Sequence, residues 1–147
     1  MDSLIRDVRL YIYAQMIETS AAPAAPDAAR ALSCSVPEAE DAYRALADAH
    51  VIVLRPGSTT IWMAPPFSNM PSAYNVIVAG RAYYAPCAWD AFGIPAALGA
   101  DARIFTTCAD CGGALERKVA AGNISETRGL VHFALPARQW WDDIGFT

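Results

Sequence analysis

No stretch of this chain runs basic: 11 Lys and Arg are scattered among 15 Asp and Glu, leaving a net charge of -4. A surface of that sign repels phosphate backbones, which argues against a protein whose main task is holding nucleic acid. An uninterrupted apolar stretch at the N-terminus is also missing. Asp2, Arg6, Asp7 and Arg9 break the pattern there, so it reads as neither a secretory signal nor a membrane span. The expectation is a cytoplasmic protein with no membrane partner. Cys34, Cys87, Cys108 and Cys111 form no regular framework. In a reducing compartment they point to reactive or metal-binding thiols over structural disulfides. What the chain has is apolar bulk: 54% of 147 residues, enough to bury a core as one domain or two small ones.

Ile5, Val8, Ile12 and Met16 recur at spacings of three and four, predicting a first helix that ends before the Ala/Pro-rich linker Ala21 to Pro26. A second, short helix is expected over Asp27 to Leu32. Ser35-Val36-Pro37-Glu38 has the form of a capping box with proline in the first turn. Val36, Ala39, Tyr43, Leu46 and His50 then mark the buried face of a third helix. Val51 to Leu54 and Thr59 to Met63, joined by Arg55-Pro56-Gly57-Ser58, read as a hairpin. Three helices and a hairpin give residues 1–65 a winged-helix-like form. Such a module invites a DNA-binding reading, but five arginines stand against eight acids between Met1 and Thr60. Half of those acids ride on the helix that would enter the groove, where they repel phosphate. The segment is read as a structural or dimerising cap.

Residues 66–147 turn to short strands: Tyr74 to Val78, Arg81 to Tyr84, Ala102 to Thr107, Ala114 to Val119 and Leu130 to Leu135. Ala79-Gly80 is the expected tip between the first two, since glycine takes the positive φ of a tight turn. The fold class is α+β, a mixed or antiparallel sheet core with one inserted short helix.

That helix carries Ala85-Pro86-Cys87-Ala88-Trp89-Asp90, continuing through Phe92-Gly93-Ile94-Pro95. If Pro86 opens it, Cys87 lies in the first turn and Asp90, three residues on, shares its face. A helix N-terminus lowers a thiol pKa toward neutrality, making Cys87 a candidate nucleophile for a soft electrophile, with Asp90 moving a proton beside it. Burial among Trp89, Phe92 and Tyr84 would raise the Asp90 pKa and the helix terminus would lower it, a balance that sequence leaves open. Taken alone, the motif reads equally as a buried thiol at a helix start.

The wider run from Gly80 to Asp90, then Gly93-Ile94-Pro95-Ala96-Ala97-Leu98-Gly99, then Ala102-Arg103-Ile104 and Cys108, resembles the core of the organomercurial (alkylmercury) lyases. The helical segment before it is similar too. The resemblance implies a helical region on a sheet-rich core, and an enzyme that cleaves carbon-mercury bonds to release a hydrocarbon and Hg(II). It implies Cys87 as the mercury-binding nucleophile, Asp90 as the proton-handling acid, an organomercurial substrate, small thiols as partners and no resident cofactor. The residue types suit that chemistry: thiolate is the ligand for a soft metal, and protonating the metal-bound carbon breaks its bond. The family pattern also uses a second cysteine on a later strand, after a segment to which Gly129 to Pro136 and Trp140 to Thr147 are similar. Here the chain stops at Gly145-Phe146-Thr147 without a matching thiol. The expectation is a piece of a longer chain; the alternative is a short relative without full lyase activity.

Cys108-Ala109-Asp110-Cys111-Gly112-Gly113 is half of a tetrahedral zinc site and half only. It reads as a turn with two reduced thiols, as auxiliary mercury handling, or as a zinc or redox site. In the lyase pattern Cys108 matches a cysteine of implied structural role, and Cys111 is an extra. Cys34 reads as a small buried side chain, His50 as a helix-end cap, and His132 as facing away from Val131 and Phe133 on a strand. Trp140 and Trp141 read as packing groups. Two competitors to the lyase reading stand: a noncatalytic thiol module binding Hg(II) or another soft metal, and a metal- or redox-sensing winged-helix regulator.

Overall fold

A computed structural model describes residues 3–126 and 128–145. Residues 146 and 147, the end of the stretch Trp140 to Thr147, lie outside them. Helix α1 (Ser3–Thr19) buries Val8, Ile12 and Met16 completely, as their spacing requires. Helix α2 (Ala25–Leu32) opens two residues earlier than its sequence suggests, because Pro26 is accepted in the first turn and the Asp27 carboxylate takes the Ala24 N–H at 3.3 Å. Helix α3 (Val36–Asp48) carries the expected capping box: Ser35 Oγ accepts from the Glu38 N–H at 3.4 Å, and Glu38 Oε2 accepts from the Ser35 N–H at 2.8 Å. Its buried face is Ala39, Ala42, Tyr43 and Leu46. Val36 and His50 do not belong to it. Val36 is the first helical residue and stays exposed, while His50 lies past the helix end at φ 58°, where helical periodicity no longer applies. The Tyr43 hydroxyl donates to the Pro23 carbonyl at 3.1 Å and ties α3 to the linker before α2.

Eight strands follow: β1 (Val53–Leu54), β2 (Ile61–Ala64), β3 (Phe67–Ser68), β4 (Tyr74–Val78), β5 (Arg81–Ala85), β6 (Ala102–Thr107), β7 (Ala114–Ala120) and β8 (Asn123–Ile124). They form one sheet in the order β1-β2-β3-β5-β4-β6-β7-β8. Every pairing in it is antiparallel, which narrows the mixed-or-antiparallel expectation. The β1–β2 hairpin therefore joins the same sheet as the strands after residue 66. Ala79 and Gly80 both take positive φ at the β4–β5 turn, with Val78 opposite Arg81, as a two-residue hairpin demands.

Helix α4 (Ala88–Leu98) is the inserted helix; it leaves β5, crosses β4 and returns as β6. Ala91 and Ile94 bury its inner face against a core that includes Val76, Ala85 and Ile104. Gly93 lets the helix press close to β3's approach, since a Cβ there would meet Pro66 Cβ at 3.2 Å.

The expected strand at Leu130 to Leu135 does not form. Leu130 is 97% exposed, and Val131 and His132 are exposed as well. The alternation there meets no pairing edge among the described residues, and Phe133 turns instead toward Trp89 and Trp140. A 3-10 helix over Ala137–Asp142 follows.

Candidate active site

Backbone geometry at the start of α4 decides how its chemistry is presented. Cys87 is not in the first turn but one residue before it, as the N-cap, with extended backbone (φ -147°, ψ 177°). Its Sγ takes the place of a capping oxygen, accepting the Asp90 N–H at 3.5 Å. The Cys87 carbonyl takes the Ala91 N–H at 3.0 Å, so the turn is closed through both main chain and side chain. The Asp90 carboxylate folds back over the same turn. Its Oδ2 lies 3.2 Å from Cys87 Sγ and accepts the thiol hydrogen. Sulfur and carboxyl thus share one face, as the spacing of three anticipates.

Their electrostatics differ from the sequence expectation. Burial, the largest cause, pushes the Cys87 thiol up to about 11, and the Asp90 charge and hydrogen bond hold its proton on further. The backbone N–H groups of Asp90 and Trp89 oppose this and lose. Helix-terminus stabilisation is outweighed because the sulfur sits out of water. Asp90 is also raised, by burial first, against a lowering hydrogen bond from Cys87. At neutral pH the sulfur is a thiol, aimed at a carboxyl group that binds protons more tightly than usual.

Of the three residues named from sequence as burying this pair, Trp89 alone lines their cavity. Trp89 is 62% exposed and Tyr84 36% exposed, on the outer side. Cys87 and Asp90 open into a cavity of about 270 Å³ closed by Met63 and Pro65 on one side and by Phe133, Trp140, Trp141 and Ile144 on the other. Trp89 lines its rim. Phe133 stands between Trp89 (centroids 6.4 Å, edge-on) and Trp140 (4.9 Å), and the Trp140 indole N–H donates to the Leu135 carbonyl at 3.0 Å. His50 lies flat on Trp141. Trp140, Trp141 and His50 therefore line the cavity. The aromatic density of residues 133–141 was the available signal, but it carries no periodicity to aim it.

Helix α1 braces this cavity. The Tyr13 hydroxyl lies near the Val51 and Pro65 carbonyls, at 3.2 and 3.0 Å, fixing one wall and the residue next to His50. Burial raises the Tyr13 pKa, with the Asp90 charge adding to it. Gly145 brings the other wall against β2, where a Cβ would fall 2.7 Å from the Trp62 ring.

The remaining candidates lie apart. Cys34, Cys108 and Cys111 do not line the cavity, and His132 is exposed on the irregular segment. All four cysteines are free thiols. A larger cavity of about 350 Å³, between the far end of α4 and the β7–β8 turn, holds neither cysteine nor histidine. Among the described residues no group of three or more His, Cys, Asp or Glu is placed to hold a metal, and no helix is long and apolar enough to cross a membrane.

Comparison with known proteins bears on this arrangement. The crystal structure of the mercury-bound form of MerB2 shares the fold, with a TM-score of 0.68 at 22% identity, over 87% of this chain and 61% of that one. The chain thus spans about three-fifths of the length of that structure. No curated protein matches it. The sequence profile of MerB, alkylmercury lyase, matches residues 67–147, a stretch that holds Cys87, Asp90 and the aromatic wall from Phe133 onward. The chain belongs to the alkylmercury lyase family.

Proposed function

We propose that this chain cleaves carbon-mercury bonds by protonolysis, with Cys87 taking the metal and Asp90 carrying the proton. One observation carries the reading: in a chain of this family, a thiol and a carboxyl stand 3.2 Å apart, hydrogen-bonded, at the floor of a cavity with aromatic walls. The raised pKa values suit a relay. An organomercurial presented by a small thiol exchanges its thiolate for Cys87; the Cys87 proton passes to Asp90, and the freed thiolate leaves with a proton from solvent. Asp90 then delivers its proton to the mercury-bound carbon, the carbon-mercury electron pair forms the new C–H bond, and the hydrocarbon leaves. Hg(II) remains on sulfur until thiols from solution displace it. A carboxyl held at a raised pKa is a better donor at neutral pH than an ordinary one. Mercury itself is selected by ligand softness, for which oxygen and nitrogen compete poorly.

The same reading takes residues 1–65 as a winged-helix-like cap on a catalytic core of 66–147, working in the cytoplasm with no nucleic-acid or membrane partner. The acidic face of α3 supports it, and a gel shift on duplex DNA at low salt would count against it.

A second reading, capture without turnover, is favoured by one feature: among the described residues Cys87 is the one thiol that lines the cavity. A single assay separates the two. The protein is incubated with an organomercurial and excess small thiol, and the headspace or extract is assayed for free hydrocarbon. Catalytic release supports protonolysis; bound mercury with no hydrocarbon supports capture.

A further inference from the structure

We propose that the turn Cys108-Ala109-Asp110-Cys111, between β6 and β7, is a second soft-metal site, in which two thiolates hold a linearly coordinated cation, Hg(II) above all. The turn is built tightly. The Cys108 N–H donates to the Gly113 carbonyl at 2.8 Å, the Gly112 N–H donates to the Cys108 carbonyl at 2.9 Å, and Gly112 supplies a φ of 69°. Both thiols ride on that one closed loop, and the Cys108 thiol is pulled below its ordinary pKa by the N–H groups of Cys111 and Asp110 and by the Cys111 side chain. Cys111 is exposed and Cys108 half-buried, so a metal complex in solution can reach both.

Donor number selects the metal. A structural zinc site requires four ligands, and no third His, Cys, Asp or Glu completes one here among the described residues. Two thiolates fill the preferred shell of Hg(II), a soft cation satisfied by two ligands in line. Loading is a ligand exchange without redox change. A bis-thiolate complex of Hg(II) gives up its metal to Cys108 and Cys111; the two thiolates that leave carry away the two protons that the cysteines release. The existence of a two-thiol site is independent of the lyase reading. The choice of Hg(II) over Cu(I) rests on that reading, because protonolysis at Cys87 would release Hg(II) in the same molecule.

The test uses the full chain and inorganic Hg(II), so that its result does not depend on carbon-mercury cleavage. The protein is mixed with HgCl2 in excess small monothiol, desalted and assayed for mercury per chain. Wild type and Cys87→Ser should each retain about one Hg(II). Cys108→Ser and Cys111→Ser should hold it about 10²-fold more weakly against the monothiol, the usual gain of two tethered ligands over one. Cys111→Ala serves as a second variant, and thermal melts confirm that each variant is folded. Retention by the two serine variants equal to wild type would overturn the site. Equal retention of Cu(I) supplied as its monothiol complex would overturn the selection of Hg(II).

Discussion

The imidazole of His50 lies on the indole of Trp141 with centroids 4.0 Å apart and planes 4° from parallel. This stack joins the end of α3 to the 3-10 helix, and so ties the irregular segment after residue 130 to the body of the protein. His50 holds φ 58° just past the end of α3, a backbone region that costs most side chains about 1 kcal/mol or more. His50→Ala should cost about 0.5–1.5 kcal/mol of stacking, beyond lost burial, and loosen the wall that Trp141 forms. We expect faster hydrogen exchange over residues 130–145 and a KM for an organomercurial raised roughly 2- to 10-fold, the same energy expressed as binding. Unchanged exchange across that segment would show that the stack does not hold it.

The two groups at the cavity floor should fail in different ways. Cys87→Ser removes the soft ligand and should abolish mercury capture in the cavity. Asp90→Asn keeps the sulfur and should preserve capture while lowering hydrocarbon release by about 10²- to 10⁴-fold, the usual share of a positioned proton donor. Mercury binding by mass spectrometry and hydrocarbon release by gas chromatography read the two steps separately. Equal loss of capture in both variants would sink this division of labour.

Thiol titration gives a third test. Burial, with the Asp90 charge, pushes Cys87 up to about 11 from the ordinary 9.0. A raised folded-state pKa means that the folded chain holds the proton where the unfolded chain has lost it. The associated stability is complete below pH 9.0 and is lost as pH climbs through about 11. The alkylation rate of Cys87, followed by peptide mass spectrometry, should rise with a midpoint near 11. Cys108, lowered by N–H groups of Cys111 and Asp110, should alkylate at lower pH in the same sample. Asp90→Asn should bring the Cys87 midpoint down without restoring the ordinary value, since burial remains the main cause.

What sequence made legible here was whatever repeats or caps. The α1 spacing, the Ser35 box and the strands Tyr74–Val78 and Ala102–Thr107 are local signals, and each element appears where its signal lies. The Cys87–Asp90 pair is local too, being set by one helical turn. The cavity around it is not. Met63 and Pro65 come from the β2–β3 region, His50 from the end of α3, and Trp140 and Trp141 from far along the chain, so no window of sequence holds them together. The same reason explains the missing strand at Leu130 to Leu135. Alternation reports that a segment is able to pair, whereas pairing also needs a free edge at the right place. The thiol pKa was misjudged for a related cause. A helix N-terminus is visible in sequence, but the burial that overrides it comes from residues distant along the chain.

Tyr13 offers a test of how far the helical region shapes the site. Its hydroxyl lies 3.2 Å from the Val51 carbonyl and 3.0 Å from the Pro65 carbonyl, so α1 holds one cavity wall and the residue beside His50 through one side chain. Tyr13→Phe keeps the ring and deletes only that link. The one hydroxyl hydrogen shared between two half-buried carbonyls is lost, at a cost of about 1–3 kcal/mol. If Tyr13 serves folding alone, the melting temperature should fall while kcat and KM of the remaining folded protein stay as in wild type. We expect instead that KM also rises, because Pro65 and the His50 corner are released together and the cavity loses its shape. A melting temperature lowered with both kinetic constants intact would confine the role of α1 to stability.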